Sequence, residues 1–419
     1  MDSFNELGID ELFIEKLKKR YITKPTNVQS LVIPNLLEGK DIVFRSETGT
    51  GKTFAYLLPI LQKILPEGSN DTEAGVNKGS PEFSVLICAP TLELCSQIKA
   101  EIEFLTTMPS LLLIGSVLID KQINTLRKIR PNIIVGNPQR LLVLAKMGKL
   151  KFNNLRFLVL DEADRLTAVE CLEETTELLS LIKRGVKQSL CVAACSATVS
   201  TKTITKLGPL FENAQIAESD DHEILQNRIE HWAIYSEKRK KVQALRSLLS
   251  AIKGKKSHIK VLVFTSRGDD AEKILSQLQY HGVSVSGLFG KANKKPLTGA
   301  QRKEAIERFR DGKADVLIST DLAARGLDIP GITHVIALDV PEDGDVYIHR
   351  CGRTGRAGKR GKMITVGDET QLRLLAALEK RLKIIIYPKE LYGGKILNPQ
   401  EEELQIAICR LHIGDCNLQ

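Results

Sequence analysis

The segment most suggestive of chemistry is Ser46-Glu47-Thr48-Gly49-Thr50-Gly51-Lys52-Thr53, which follows the apolar run 42–44 and opens a helical pattern. A turn from a strand into a helix can bind nucleotide phosphates with its backbone N–H groups, and the two glycines let oxygen atoms approach closely. Lys52 would reach the terminal phosphates, and the Thr53 hydroxyl would be a magnesium ligand. We therefore predict ATP and Mg²⁺ as cofactors, although Ser46 stands where a glycine is usual.

A second candidate is the acidic segment Asp161-Glu162-Ala163-Asp164, which follows the apolar run 157–160. Its carboxylates should emerge at the carboxyl edge of a buried strand, where open α/β sheets bind ligands. One carboxylate there can hold Mg²⁺ through water, and its neighbour can orient and deprotonate an attacking water. A solvated acidic turn would explain this segment taken alone, but the phosphate loop upstream favours the catalytic interpretation.

The elements that must position these residues form two series of short apolar runs alternating with helical stretches. We predict strands at 41–45, 84–89, 133–136, 156–160, 190–194, 260–265, 283–288, 315–319, 333–338 and 362–366. Helices are predicted at 52–64, 271–281 and 300–310. Apolar runs without polar alternation are typical of parallel sheets covered on both faces by helices. The predicted fold class is thus α/β, with two tandem domains at 1–217 and 228–370, a linker at 218–227 and a C-terminal segment at 371–419.

Composition narrows the class of protein further. The chain has 419 residues, with 42% hydrophobic and 26% charged, which excludes a mostly disordered protein. No apolar run approaches the roughly 20 residues that cross a bilayer, and we see no secretion signal at the N-terminus. The net charge of +9 is compatible with a polyanionic partner. Eight cysteines without a CxxC pair predict reduced thiols in a cytoplasmic protein.

Several segments together resemble the DEAD-box RNA helicases. Ser46–Thr53, Asp161–Asp164 and Ser196-Ala197-Thr198 are similar to motifs I, II and III of that family. Thr320-Asp321 with Ala324-Arg325-Gly326-Leu327-Asp328 is similar to motif V, and the run from His349 to Arg356 is similar to motif VI. Phe4 with Pro25-Thr26-Asn27-Val28-Gln29 resembles the adenine-reading Q motif. The resemblance covers about residues 1–370 in the family's order and implies two RecA-like domains.

The resemblance also implies a role for each matching residue. Gln29 would read the adenine edge, Phe4 would stack on its ring, and Asp328 beside Gly326 would bind the ribose. Glu162 would be the catalytic base, and Asp161 would hold Mg²⁺ through water. Arg353 and Arg356 would be arginine fingers supplied by the second domain when the two domains close. Coupling of nucleotide state to closure would involve Asp164, Ser196, Ala197, Thr198 and His349.

The motifs that would face RNA depart from the family pattern more than those of the ATP site. Leu92 replaces an arginine in motif Ia, Asn137 and Gln139 alter motif Ib, and Gly299 replaces a glutamine. Phosphate contacts supply sequence-independent affinity, so we expect RNA binding weaker than is usual for the family. The remaining candidate RNA contacts are Pro90, Thr91, Gly115, Pro138, Arg140, Thr265, Arg302, Thr320 and Asp321.

These observations favour an ATP-dependent RNA helicase that unwinds short duplexes or remodels RNA–protein complexes. A nucleotide-gated RNA clamp or assembly scaffold with little unwinding stays open, because the RNA-facing motifs are altered. An ATP-driven motor on DNA is a third alternative, disfavoured mainly by the resemblance. The arginines of the motif VI segment could instead form a solvated basic turn, and Asp321 and Asp328 could be simple loop acids.

The segment after motif VI lacks a recognisable RNA-binding module. Within it, 384–387 is apolar and predicts a late edge strand, with a docking surface as the alternative. We expect a monomeric protein of the compact bacterial type, acting on RNA without strong sequence preference. A protein partner is possible in principle, since substrate choice has no visible determinant in the chain.

Overall fold

The computed structural model of the chain divides into two compact units, Met1–Asp221 and His222–Gln419. It describes residues 3–45, 50–65, 83–196, 201–218, 228–254, 259–289, 299–324, 329–355 and 359–399. The division falls inside the predicted linker 218–227, while the limits of the predicted domains remain a prediction.

The first unit contains a seven-stranded parallel sheet in the order β3-β4-β2-β5-β6-β1-β7. Its strands are β1 (Ile42–Arg45), β2 (Val85–Cys88), β3 (Ser110–Leu113), β4 (Ile133–Gly136), β5 (Phe157–Asp161), β6 (Cys191–Ser196) and β7 (Gln215–Glu218). Its helices are α1 (Glu11–Lys18), α2 (Asn27–Leu37), α3 (Lys52–Ile64), α4 (Leu92–Leu105), α5 (Ile119–Ile129), α6 (Pro138–Lys146), α7 (Ala163–Leu166), α8 (Leu172–Gly185) and α9 (Thr201–Leu207), with a 3₁₀ turn at Gly208–Leu210.

The second unit contains an eight-stranded sheet in the order β10-β11-β9-β12-β13-β8-β14-β15, parallel except for the last strand. Its strands are β8 (Ile229–Tyr235), β9 (Val261–Phe264), β10 (Val285–Leu288), β11 (Val316–Ser319), β12 (His334–Ala337), β13 (Gly361–Gly367), β14 (Ile386–Tyr392) and β15 (Lys395–Leu397). Its helices are α10 (Lys241–Lys253), α11 (Gly268–Tyr280), α12 (Gly299–Arg310), α13 (Asp321–Ala324), α14 (Gly344–Cys351) and α15 (Glu369–Leu382), with a 3₁₀ turn at Lys238–Lys240.

The central strands are the ones with uninterrupted apolar sequences, as predicted. Every residue of β2, β4, β5, β6 and β9 is buried, and core side chains fill both faces of each sheet. Burial on both faces explains why these strands carry apolar residues at consecutive positions. The α/β fold class is confirmed, and the predicted helix 52–64 coincides with α3.

The strands that the apolar runs did not predict lie at or near sheet edges. β3 and β7 each pair with a single neighbour, and β8 alternates buried with exposed positions at its ends. β7 lacks the continuous apolar run that identifies a central strand, whereas β3 overlaps one at 111–114 that the sequence prediction missed. The predicted strand 384–387 begins later, as β14, and β15 covers its outer side.

Two further features bear on the predicted class of protein. Within the described ranges, no helix has both the length and the apolar character needed to cross a membrane. Six described cysteines carry free thiols, and five of them are buried.

Candidate nucleotide site and RNA-facing loops

The end of the phosphate loop is built around Gly51, which precedes the first residue of α3. Its φ of +87° lies in the left-handed region, which favours glycine. A Cβ atom there would lie 2.4 Å from Gln29 Nε2, which donates a hydrogen bond to the Gly51 carbonyl oxygen at 3.0 Å. Glycine is therefore favoured at position 51 by its backbone conformation, and a larger residue would also displace the Gln29 side chain. Thr50 is buried beside Gly51, and Ser46, Glu47, Thr48 and Gly49 lie outside the described residues.

Lys52 and Asp161 form an ion pair inside the first unit. The Lys52 Nζ atom lies 3.1 Å from Asp161 Oδ1, and the two side chains are 9% and 0% exposed. Burial is the largest single effect and lowers the pKa of the Lys52 ammonium, but the charge and hydrogen bond of Asp161, together with the neighbouring Glu162 and Cys195, outweigh it, and the net pKa lies above its ordinary value. Lys52 is therefore a fixed positive charge at every physiological pH, as phosphate binding requires.

Asp161 receives two further donors at the carboxyl end of β5. The Tyr56 hydroxyl donates to Asp161 Oδ2 at 2.9 Å, and the Cys195 thiol donates to Oδ1 at 2.9 Å. Cys195 is the direct register partner of Asp161 on the neighbouring strand β6. Burial, followed by the charge of Asp161, raises the pKa of both the Tyr56 phenol and the Cys195 thiol, so both groups stay protonated as donors.

Glu162 follows Asp161 in a strained backbone conformation. Its φ is 54° and its ψ is 54°, a left-handed geometry that costs a residue with a Cβ atom roughly 1–2 kcal/mol. The side chain is buried, and its Oε2 atom lies 3.5 Å from Arg165 Nε. Strain of this kind persists where the surrounding structure fixes a side chain in one direction, and it is common at functional sites.

The motif III segment begins directly beside the acidic segment. Since Cys195 pairs with Asp161, Ser196 at the end of β6 lies next to the start of the turn that carries Glu162 and Asp164. Ser196 is fully buried. The structure thus brings Ser196 and the acidic turn together, as coupling would require, while Ala197 and Thr198 lie outside the described residues.

Gln29 connects the Q motif to the phosphate loop through hydrogen bonds to both segments. Thr26 and Gln29 form a capping box at the start of α2, in which Gln29 Oε1 accepts a hydrogen bond from the Thr26 N–H at 3.0 Å. Pro25 immediately precedes this cap. Phe4 is 2% exposed and belongs to the hydrophobic core, so its ring offers no open face for adenine in this conformation.

The motif VI residues lie on and after α14 in the second unit. Arg353 is 5% exposed, and its Nε atom donates to the His349 carbonyl oxygen at 3.3 Å. Arg350 is 2% exposed. The alternative of a solvated basic turn is therefore wrong for these two arginines. Arg356 and the motif V residues Gly326 and Asp328 lie outside the described residues.

Arg350 joins three loops at the carboxyl edge of the second sheet. It donates to both carboxylate oxygens of Asp321 at 2.7 Å, and to Asp339 Oδ1 at 2.7 Å and its carbonyl oxygen at 2.9 Å. The second oxygen of Asp339 accepts the Ser266 N–H at 2.5 Å. Asp321 is thus neither a simple loop acid nor an unengaged RNA contact, because it holds Arg350. Sequence reasoning missed Asp339, although an acidic residue directly after a predicted strand was an available signal.

We expect Asp339→Ala to lower the free energy of unfolding of the second unit by about 3 kcal/mol, because it leaves a buried arginine short of a partner. Urea unfolding followed by tryptophan fluorescence measures this unit selectively, since Trp232 of β8 is the chain's one tryptophan. Asp311→Ala, which removes an exposed carboxylate from the same unit, should change the value by less than about 0.5 kcal/mol. Equal effects of the two substitutions would contradict the structural importance of the Arg350 network.

The candidate RNA contacts of the first unit gather at one edge of its sheet. They follow β2, β3 and β4, which are neighbours in the sheet, and comprise Pro90, Thr91, Gly115, Pro138 and Arg140. Thr91 caps α4 by accepting the Leu94 N–H at 3.2 Å. The loops are therefore brought together, although Pro138 is buried as the first residue of α6.

The Arg140 guanidinium donates hydrogen bonds to other groups of the first unit. Its guanidinium donates to the Gly115 carbonyl oxygen at 3.0 Å and to Gln122 Oε1 at 3.2 Å. These bonds fix the loop after β3 against α5. Leu92, which stands where motif Ia usually has an arginine, is the first residue of α4.

The second unit gathers its own candidate contacts after the adjacent strands β9 and β11. Thr265 is buried, and its N–H donates to the Ser319 carbonyl oxygen at 3.1 Å. Arg302 donates to the Ala323 carbonyl oxygen at 2.8 Å, which ties α12 to α13 next to Thr320. The two strand ends and α12 therefore share one edge of the sheet.

The donor set near Lys52 fits Mg²⁺ in chemical type. A carboxylate oxygen of Asp161 and the hydroxyl of Thr53 are hard oxygen donors, which Mg²⁺ prefers. Within the described ranges, no group of three or more His, Cys, Asp and Glu side chains could hold a metal by itself. In nucleotide-dependent enzymes, Mg²⁺ is usually bound by one or two protein oxygens, and nucleotide phosphates and water complete its coordination.

The two mostly parallel sheets, with a lysine at a strand-to-helix turn facing an acidic strand end, define a protein with two RecA-like domains. A model of the DEAD/DEAH box helicase family matches residues 26–207, and one of the helicase conserved C-terminal domain matches residues 240–358. The chain therefore belongs to the DEAD-box helicases, and the resemblance predicted from its motifs is confirmed.

Individual relatives agree with this assignment. The chain is 31% identical over 375 residues to the DEAD-box ATP-dependent RNA helicase CshC of Bacillus cereus, covering 89% of each chain. Its fold is similar to that of Mss116p bound to single-stranded RNA and AMP-PNP, with 26% identity, a TM-score of 0.79 and coverage of 98% and 81%. S. cerevisiae Dbp5 bound to RNA and ADP BeF3 shares the fold at a TM-score of 0.78 and 24% identity, with coverage of 98% and 100%.

Proposed function

We propose that the protein is an RNA-stimulated ATPase that couples ATP hydrolysis to RNA binding and to local unwinding of duplexes or remodelling of RNA–protein complexes. The observation that carries this proposal is the buried Lys52–Asp161 pair beside Glu162, in a chain that belongs to the DEAD-box helicases. A buried cation next to two carboxylates at the carboxyl edge of a parallel sheet can bind a nucleoside triphosphate together with its metal ion.

Each residue of the first unit then has one chemical task. Lys52 binds the terminal phosphates, and the Lys52–Asp161 ion pair must loosen when it does so. Thr53 and Asp161 would hold Mg²⁺, which neutralises phosphate charge when bound. Glu162 accepts the proton of the attacking water, and its fixed backbone geometry directs the carboxylate to that water.

The second unit supplies positive charge in this proposal. Arg353 and Arg356 stabilise the negative charge that develops on the transferring phosphoryl group, as arginine fingers do in related reactions. Gly326 and Asp328 bind the ribose, and Gln29 with Pro25 holds the adenine. Phe4 can stack on adenine only after its ring leaves the core.

RNA contacts would run along the backbone through the loops after β2, β3 and β4 of the first unit and β9 and β11 of the second. Arg140 has part of its guanidinium engaged in hydrogen bonds within the protein, and Leu92 offers no charge, so the first-unit loops have fewer donors for phosphates. Binding is therefore weak and insensitive to sequence.

Leu92→Arg is expected to strengthen binding of a single-stranded RNA by adding one phosphate contact. The logarithmic dependence of affinity on salt should steepen by about one unit, because each added contact releases counterions. Fluorescence anisotropy at several salt concentrations measures both quantities. Leu92→Gln, of similar length without charge, is the matched control and should leave the slope unchanged. An unchanged slope for the arginine variant would place position 92 off the RNA path.

The proposed function is tested by measuring ATP hydrolysis with and without single- and double-stranded RNA, and by displacement of a short labelled duplex. Stimulation by RNA together with ATP-dependent displacement is the expected result. The second candidate, a nucleotide-gated clamp, is favoured by the apolar Leu92 and by the engaged donors of Arg140. It predicts RNA-stimulated hydrolysis and nucleotide-dependent RNA retention without displacement. Equal stimulation by DNA of the same sequence would instead support a DNA-directed motor.

The magnesium requirement, the cytoplasmic location and the monomeric state belong to the same proposal. Sedimentation of the purified protein measures the last of these directly.

A further inference from the structure

Tyr56 lies one helical turn after Lys52 on α3, with its whole side chain buried. Its hydroxyl donates to Asp161 Oδ2 at 2.9 Å and also shares a hydrogen bond with the Thr53 side chain. A tyrosine hydroxyl has one proton and two acceptor lone pairs, so it can donate to Asp161 and accept from Thr53 at once. One hydroxyl therefore connects the two residues proposed to hold Mg²⁺.

The donors around Asp161 are divided between its two oxygens. Oδ1 faces Lys52 and Cys195, whereas Oδ2 receives the Tyr56 hydroxyl. Donors on both oxygens fix the rotation of the carboxylate about its last bond. The bond from Tyr56 persists when Lys52 turns to a phosphate, because it is made from the opposite side of the carboxylate.

Packing alone does not require this hydroxyl. Phenylalanine has the same ring and would fill the same space, while a buried hydroxyl is costly unless it is hydrogen-bonded. The buried hydroxyl of Tyr56 is thus best explained by its hydrogen bonds to Asp161 and Thr53, which hold those two side chains in position.

We propose that Tyr56 is a positioning residue that orients Asp161 and Thr53 for the metal of the bound nucleotide. The inference rests on the proposed function, since it concerns the same nucleotide site. Groups that hold metal ligands in position typically contribute 10–100-fold in metal affinity or activity.

The test is Tyr56→Phe, with equilibrium binding of a ribose-labelled fluorescent ADP as the readout, so that no turnover is involved. Titration with Mg²⁺ should show a roughly tenfold higher concentration for half-maximal enhancement of binding than in the parent protein. Binding of the same ADP in EDTA should change less than about twofold, because Lys52 and the loop remain. At saturating Mg²⁺, kcat should approach the parent value, which separates an orienting role from a direct catalytic one.

Tyr347→Phe is the matched control, because Tyr347 is a buried tyrosine of the second unit whose hydroxyl lies 3.1 Å from His231 Nδ1. Its magnesium titration should match that of the parent. Superimposable titrations of the parent and Tyr56→Phe would overturn the proposal. Loss of ADP binding by Tyr56→Phe in EDTA would also overturn the proposal, because Tyr56 would then be needed for the folded structure of the site and not for the metal alone. If the parent protein itself bound no nucleotide, the proposed function would fail, and this inference would fail with it.

Discussion

Glu162→Gln lowers the rate of ATP hydrolysis by about 10²–10⁴ and leaves a complex that retains both ATP and RNA; this is the result we expect of the proposed catalytic base. Glutamine keeps the length and planar shape of glutamate but cannot accept the proton of the attacking water. The buried, strained position of Glu162 makes this substitution informative, because the amide should occupy the same place.

Two measurements on the Glu162→Gln protein check the expectation. Single-turnover hydrolysis gives the chemical rate, and filter binding of labelled RNA in ATP and in ADP gives retention. Glu170→Gln, which alters an exposed carboxylate of the same unit, should behave like the parent in both. If turnover were unchanged in Glu162→Gln, the base would have to be another group, and Asp164 would be the first to examine.

Arg353→Ala is expected to reduce kcat by about 10³–10⁵ with little change in ATP affinity, because an arginine finger acts mainly in the transition state. Arg353→Lys should recover only part of the loss, since an ammonium lacks the planar fork of the guanidinium. The effect should appear in kcat at saturating ATP and RNA, and not in the binding of a fluorescent nucleotide.

Because Arg353 is buried against the His349 carbonyl group, its replacement could also disturb the second unit. Unfolding followed by Trp232 fluorescence separates these effects, as that tryptophan lies in the same unit. Arg239→Ala, at an exposed position of the unit, provides the matched control. A loss of activity that followed the loss of stability across the variants would argue against a finger role for Arg353.

The proposed coupling between nucleotide and RNA has a structural candidate within the second unit. Arg350 lies on the same helix as His349 and holds Asp321, which directly follows Thr320, and Asp339, which accepts the N–H of Ser266 in the loop after β9. The nucleotide-facing helix and the RNA-facing loops of the proposal are thereby parts of one hydrogen-bonded network. The Asp339→Ala protein therefore also tests whether RNA stimulation of ATPase activity depends on this network.

Much of this protein was determined by local sequence. Strands buried on both faces need consecutive apolar residues, so the central strands of both sheets could be predicted within one or two residues. Lys52, Asp161 and Glu162 could be proposed as site residues because phosphate and metal chemistry restrict residue type and spacing. The edge strand β7 escaped prediction because pairing on one side imposes little on its composition, whereas the apolar run 111–114 at β3 was an available signal that was missed.

What only the tertiary structure decided is which side chains share a partner. Tyr56 and Cys195 are separated from Asp161 by 105 and 34 positions, and nothing local marks them as its donors. The sequence left open whether Arg350 belonged to a solvated basic turn, and the structure excludes this because Asp321 and Asp339, at the ends of β11 and β12, surround it with acceptors. The physical reason is that burial and hydrogen-bond partnership depend on strand order, and strand order is fixed by the packing of the whole sheet.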